Sequence, residues 1–301
     1  MSELRNSFSF IVVGKTKEST EGGSFKRYVG VGSSFVKAVN PSKKELDEIM
    51  GFESTTEPEY VVDTDEGKEA RVTFIVATDP ATNNDIDLKC RVTFTLRNAP
   101  DYNRDRTKVR VIDGFGNFTW ADTESAKNGA KLLSADGKEL KIDSKYRMAC
   151  VGECGLVAFL KAYLNVGDAF NYVNGSWVKK SNTDDYLFAL EHIKDYFKGD
   201  FSEIKDAIAL QPNNKVKLLY GVRTTDDGKQ YQTVATRPEL MLRNSAGSNA
   251  LTRLAKDLAN AKSNGSYAST EFRVCDLQEW TVTPTNLEQP AVDDSNDMPW
   301  D

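Results

Sequence analysis

Histidine is almost absent from this 301-residue chain. His192 stands alone, so no histidine pair exists to hold a metal or relay a proton. Cysteine is scarce as well: Cys90, Cys150, Cys154 and Cys275 are irregularly spaced, which fits free thiols in a reducing compartment better than a disulfide framework. No apolar run approaches the about eighteen residues of a membrane span. Met1-Ser-Glu-Leu-Arg-Asn lacks the basic start and apolar stretch of a secretory signal. A P-loop is missing, and Gly30-Val-Gly-Ser-Ser-Phe35 is a glycine-rich fragment without a third glycine, better read as a turn or bulge. The carboxylate pairs Asp184-Asp185, Asp226-Asp227 and Asp293-Asp294 fall at a helix start, a turn and the C-terminal stretch, where caps and solvated faces are their usual roles. These absences point to a cytoplasmic, non-enzymatic protein.

What is present suffices for a sizeable core, since 39% of residues are hydrophobic. Extended segments are predicted over 8–13, then over 25–39 as one or two strands broken by Gly30 and Gly32, and over 71–78, 88–96, 108–112 and 115–120. A short helix is predicted between the segments over 25–39 and 71–78, because Ser42-Lys-Lys-Glu45 is a capping box and Gly51 a natural stop. The middle reads as helical over 122–133, 155–164, 183–197 and 201–210. A hairpin over 215–223 and 229–237 turns through Thr224-Thr-Asp-Asp-Gly228, and a helix over 248–262 and a strand region over 272–282 follow. Closely spaced strands leave no room for crossover helices, so the expected class is α+β. Its form is an antiparallel barrel of about five short strands, of the oligonucleotide-binding type, elaborated by helices. Residues 1–283 are expected to form this body and 284–301 a flexible acidic tail.

Charge is unevenly distributed. The net charge is −6, and five of the acids, Glu288, Asp293, Asp294, Asp297 and Asp301, lie in the tail. Between Lys89 and Arg110, by contrast, Lys89, Arg91, Arg97, Arg104, Arg106, Lys108 and Arg110 face only Asp101 and Asp105. Over 89–97 the residues alternate, with Cys90, Val92, Phe94 and Leu96 on one face and Lys89, Arg91 and Arg97 on the other. Lys108 and Arg110 likewise share a face of the next strand, and two neighbouring strands of this kind would line a positive groove. Tyr102 and Gly114-Phe-Gly-Asn-Phe-Thr-Trp120 place Phe115, Phe118 and Trp120 beside these cations. Cations that follow phosphates and rings on which unstacked bases lie are the two devices that hold a single strand. Lys215, Lys217, Tyr220, Arg223, Lys229, Tyr231 and Arg237 of the second hairpin extend the candidate surface.

The chain finishes on Ala291-Val-Asp-Asp-Ser-Asn-Asp-Met-Pro-Trp-Asp301, in which Asp293, Asp294 and Asp297 precede Met298, Pro299 and Trp300. This arrangement resembles the acidic tip of single-stranded DNA-binding proteins, although here Asp301 follows the aromatic that ends the bacterial family's tails. The resemblance covers only the end of the chain. It implies binding of single-stranded DNA without sequence specificity in replication, recombination and repair, in a bacterial cell or one infected by a phage. It further implies that the tail recruits partner enzymes and competes with DNA for the groove. Some phage members carry a structural zinc, and Cys150-Val-Gly-Glu-Cys154 has a spacing compatible with two ligands, with His192 or Cys90 to complete a site. No second close pair accompanies it, so no cofactor is expected, and small buried residues at a Gly152/Gly155 turn are the favoured reading. The alternative function is a structural or assembly-adaptor protein, such as a virion component, whose tail docks or solubilises.

Overall fold

The computed structural model describes residues 26–65, 67–113, 116–128, 133, 146–164, 170–173, 176–179 and 193–281. The first predicted strand, Phe115, His192 and the tail lie outside them. In chain order the strands are β1 (Tyr28–Val39), β2 (Val61–Thr64), β3 (Gly67–Thr78), β4 (Lys89–Arg97), β5 (Lys108–Asp113), β6 (Phe118–Asp122), β7 (Tyr146–Met148), β8 (Phe170–Val173), β9 (Ser176–Lys179), β10 (Val216–Thr224), β11 (Gln230–Val234), β12 (Leu242–Arg243), β13 (Thr270–Phe272) and β14 (Gln278–Glu279). The helices are α1 (Lys43–Met50), α2 (Thr123–Asn128), α3 (Val151–Tyr163), α4 (Ile193–Tyr196), α5 (Ser202–Ala209) and α6 (Ser248–Ser263).

The class is α+β, and its centre is a curled antiparallel sheet that forms a half-barrel. The path β11-β10-β1-β3 carries β4 on β3, and the curl brings β11 back toward β4. Among the described residues this sheet has nine strands rather than about five. Its first strand is continuous: Gly30 and Gly32 do not break β1, which pairs with β10 on one side and β3 on the other.

Alternation in the sequence sets the two faces. In β4, Cys90, Val92, Phe94 and Leu96 are buried while the residues between them are half-exposed. The buried set meets Val72, Phe74 and Val76 of β3 and Leu218 and Tyr220 of β10 around α3, which fills the concave side. Phe159 of α3 stands 4.4 Å from Phe74 and 5.5 Å from Phe94, centroid to centroid. On the opposite face, Leu254, Leu258 and Ala261 of α6 cover Leu219, Ala235 and Phe272, so only part of the convex surface is shielded.

The helix α3 begins at Val151, four residues before its predicted start, and this corrects the reading of Gly152 and Gly155 as a turn. Both glycines lie within the helix, where the absence of a side chain permits close approach. A Cβ on Gly152 would lie 1.9 Å from the Thr95 carbonyl oxygen, and one on Gly155 would lie 2.6 Å from that of Thr236. Cys150 is the N-cap residue but provides no side-chain cap; Asp101 does so instead, accepting from the Val151 amide. Burial pushes the Cys154 thiol up to about 12 and raises those of Cys150 and Cys90.

The strands β5, β6 and β7 form a separate three-stranded sheet. The expected pairing of β4 with β5 in one positive groove is therefore not what the chain forms. The two strands are joined instead at Asp101, which binds Arg97 at 2.9 Å through its carboxylate, accepts from the Arg110 amide and donates to the Ala149 carbonyl.

Candidate nucleic-acid interface

Cross-strand partners share a face of a sheet, and the register assembles one row across the convex side. Lys89 of β4 lies opposite Ala77 of β3, and Ala77 opposite Phe35 of β1. Lys215, just before β10, brings its Nζ to 4.8 Å from the Phe35 ring centroid, and the Nζ of Lys37 stands at 5.2 Å. Phe35 is half-exposed and Lys37 exposed. Neither residue stands out in the sequence: Phe35 ends the glycine-rich fragment, and only strand register shows that it faces away from the core.

Lys215 is also held at 2.5 Å by Asp79, whose carboxyl lies below its ordinary value chiefly because Lys215 donates to it. A carboxylate depressed in this way stabilises the fold above its unfolded pKa and loses that contribution as pH falls through the lower folded value. The pair therefore persists at neutral pH, where it neutralises one cation of the row. Replacing Asp79 with Asn is expected to tighten binding of a polyanion by roughly threefold at low salt, an effect that salt screens away. Titrations at two ionic strengths check this.

Further along β4, Arg91 stands opposite Ile75 and Arg97 opposite Glu69. Arg91 is partly buried and its guanidinium pKa is lowered by desolvation. Between them, the hydroxyls of Thr73 and Thr93 are 2.9 Å apart. Lys89 and Arg91 are thus about 6.6 Å apart along β4, and Arg97 lies about 20 Å beyond Arg91 on the same face.

Other candidates are placed differently. Tyr220 is completely buried, with its hydroxyl 2.6 Å from that of Ser34, because it falls on the concave face; it is core and offers no ring to a base. Arg110 is 4% exposed and lies 4.6 Å from the Trp120 ring. Its strand face turns toward the main body, which corrects its assignment as a phosphate contact and covers one side of Trp120. Phe118 is half-buried against the main core. Lys217 donates to the Ala246 carbonyl at 2.6 Å. Arg223 and Tyr231 are paired across β10 and β11, but Leu219 and Gly221, covered by α6 and Phe272, separate them from the Phe35 row. A second basic cluster gathers around the loop before β5, where Arg104 is exposed, Arg106 lies 4.7 Å from the Tyr102 ring, and Lys108 is half-buried opposite Asp122. Asp293, Asp294, Asp297, Met298, Pro299 and Trp300 lie outside the described residues.

The Phe35 row has the chemistry to hold a stacked ring with anions on both sides. Lysine over an exposed ring is worth about 0.5–1 kcal/mol, less than the roughly 1–3 kcal/mol of base–aromatic stacking. A base would therefore displace the ammoniums from the ring and leave them beside the flanking phosphates. Among the described residues no group of three or more His, Cys, Asp or Glu is placed to hold a metal, and no helix is long and apolar enough to cross a membrane. No family model matches the chain, and no curated protein or solved structure matches it either.

Proposed function

We propose that this protein binds single-stranded DNA without sequence preference, on the convex face of an oligonucleotide-binding-type barrel, and that it acts in replication or recombination rather than as an enzyme. The observation that carries the proposal is the half-exposed Phe35 ring flanked by Lys37 and Lys215, with Lys89 in the same cross-strand row. The cations of β4 supply the electrostatic track and the ring supplies the stacking. The tail, in this proposal, recruits replication or recombination proteins through Met298, Pro299 and Trp300, and its carboxylates compete with DNA for the same cations.

Titration of the full chain with fluorescent oligothymidine, at low and moderate salt and with equal-length duplex as competitor, tests the reading. The expected result is salt-dependent binding that duplex does not displace. Each cation that contacts a phosphate contributes about 0.7 to the slope of log affinity against log salt for single strands, so Lys89→Ala should flatten that slope by about that amount. Absence of binding at low salt, in the full chain and in a chain ending at Asn286, would overturn the proposal and leave the structural or assembly-adaptor role. If the tail competes, the shortened chain binds more tightly at low salt and no longer retains the partner proteins; unchanged behaviour in both assays would show the tail to be inert.

A further inference from the structure

Ser33 precedes Phe35 by two residues on the same face of β1, about 6.6 Å away along the strand, and lies opposite Lys217 of β10. Past β12 the chain turns back over this part of the convex side. The Ala246 carbonyl accepts from Lys217 Nζ at 2.6 Å, and Asn244 Oδ1 accepts from the Ser33 hydroxyl at 2.6 Å. The turn Asn244-Ser-Ala-Gly247 is therefore a shoulder beside the Phe35 ring, and it carries no carboxylate to repel a phosphate.

The shoulder is fixed from below. Ser33 donates its amide to Asn83 Oδ1 at 3.1 Å, and its carbonyl accepts from Asn83 Nδ2 and from the Asp79 amide, each at 2.9 Å. Ser33 is 9% exposed, whereas Asn244 is exposed. A side-chain amide has an acceptor oxygen and a nitrogen with two donor hydrogens. With Oδ1 held on Ser33, the Nδ2 hydrogens of Asn244 are left for an external acceptor. The acceptor side anchors the group, and the donor side is oriented and free.

We infer that Asn244 donates from Nδ2 to the edge of the base stacked on Phe35. This inference rests on the proposed binding of single-stranded DNA and adds a base-edge contact to the stacking. Stacking alone leaves a ring free to rotate in its own plane; a lateral donor fixes that rotation, because hydrogen bonds weaken steeply off line. Every natural base carries a ring nitrogen or carbonyl oxygen that accepts, so the contact adds affinity without selecting a sequence.

A double-mutant cycle between protein and ligand tests it. The full chain and Asn244→Ala are each titrated with fluorescent oligothymidine and with an equal-length strand whose thymines are replaced by difluorotoluene, a ring of the same shape whose fluorines accept hydrogen bonds poorly. The ratio of the two affinities is the readout, which cancels any general effect of the substitution on the row or its charge. Asn244→Ala is expected to lower the preference for thymine by about two- to tenfold, the range of one hydrogen bond. Asn244→Asp still accepts from Ser33 but has no donor, and should lower the preference as much; a merely structural role for Asn244 would leave it intact in this variant. An unchanged ratio in both variants overturns the base-edge contact and spares the single-strand reading. No binding of oligothymidine by the full chain, or by the chain ending at Asn286, overturns both.

Discussion

Replacing Phe35 with Ala is expected to reduce affinity for oligothymidine by about 5- to 150-fold, the equivalent of the ~1–3 kcal/mol that one base–aromatic stack contributes. The thermal midpoint should change little by comparison, because the ring is half-exposed and stands outside the main core cluster. Phe35→Tyr or Phe35→Trp keeps a π face and should retain most of the affinity. The salt slope distinguishes the two halves of the site. Phe35→Ala lowers affinity at every salt concentration by a similar factor, since stacking releases no counterions, whereas Lys89→Ala weakens binding mainly at low salt. Equal affinity for Phe35→Ala and the parent chain would remove the row from the interface.

The largest effect on stability is expected at Gly152. Its added Cβ would fall 1.9 Å from the Thr95 carbonyl oxygen and 2.7 Å from the carbonyl carbon, and backbone cannot rotate aside as a long side chain can. The start of α3 must then move away from β4, which loosens Asp101 from the Val151 amide and Cys150 from Thr95. Overpacking costs about 1–3 kcal/mol in ordinary cores; at a main-chain clash of this depth Gly152→Ala should reach about 3 kcal/mol or exceed it. Gly247→Ala is the comparison, because nothing lies within 4 Å of its Cβ position. Denaturant midpoints of the two variants check the contrast. A Gly152→Ala chain as stable as the Gly247→Ala chain would mean that α3 does not dock on β4 in this way. Because Asp101 also holds Arg97, the same substitution should displace that guanidinium at the end of β4.

Several features were legible without coordinates because they depend on neighbours in the chain. The alternation of Cys90, Val92, Phe94 and Leu96 with Lys89, Arg91 and Arg97 assigns the two faces of β4 at a period of two. The capping box at Ser42 and Glu45, closed by Gly51 in the left-handed region, is likewise local. So is the α+β class, since closely spaced strands cannot hold parallel crossovers.

Tertiary structure decided everything that depends on residues far apart in sequence. Phe35 and Lys215 are separated by most of the chain, and only the β1–β10 register brings a ring and an ammonium together. The same register turns Tyr220 inward, although its strand also carries Lys215 and Lys217 near the surface. Arg110 alternates as cleanly as Arg91, but its strand belongs to a second sheet whose cationic face meets the body, so it is buried beside Trp120. Gly152 and Gly155 read locally as turn residues; the carbonyls of Thr95 and Thr236 against them give them their role. Local pattern specifies which way a side chain points relative to its own strand, while what lies on that side is set by long-range pairing.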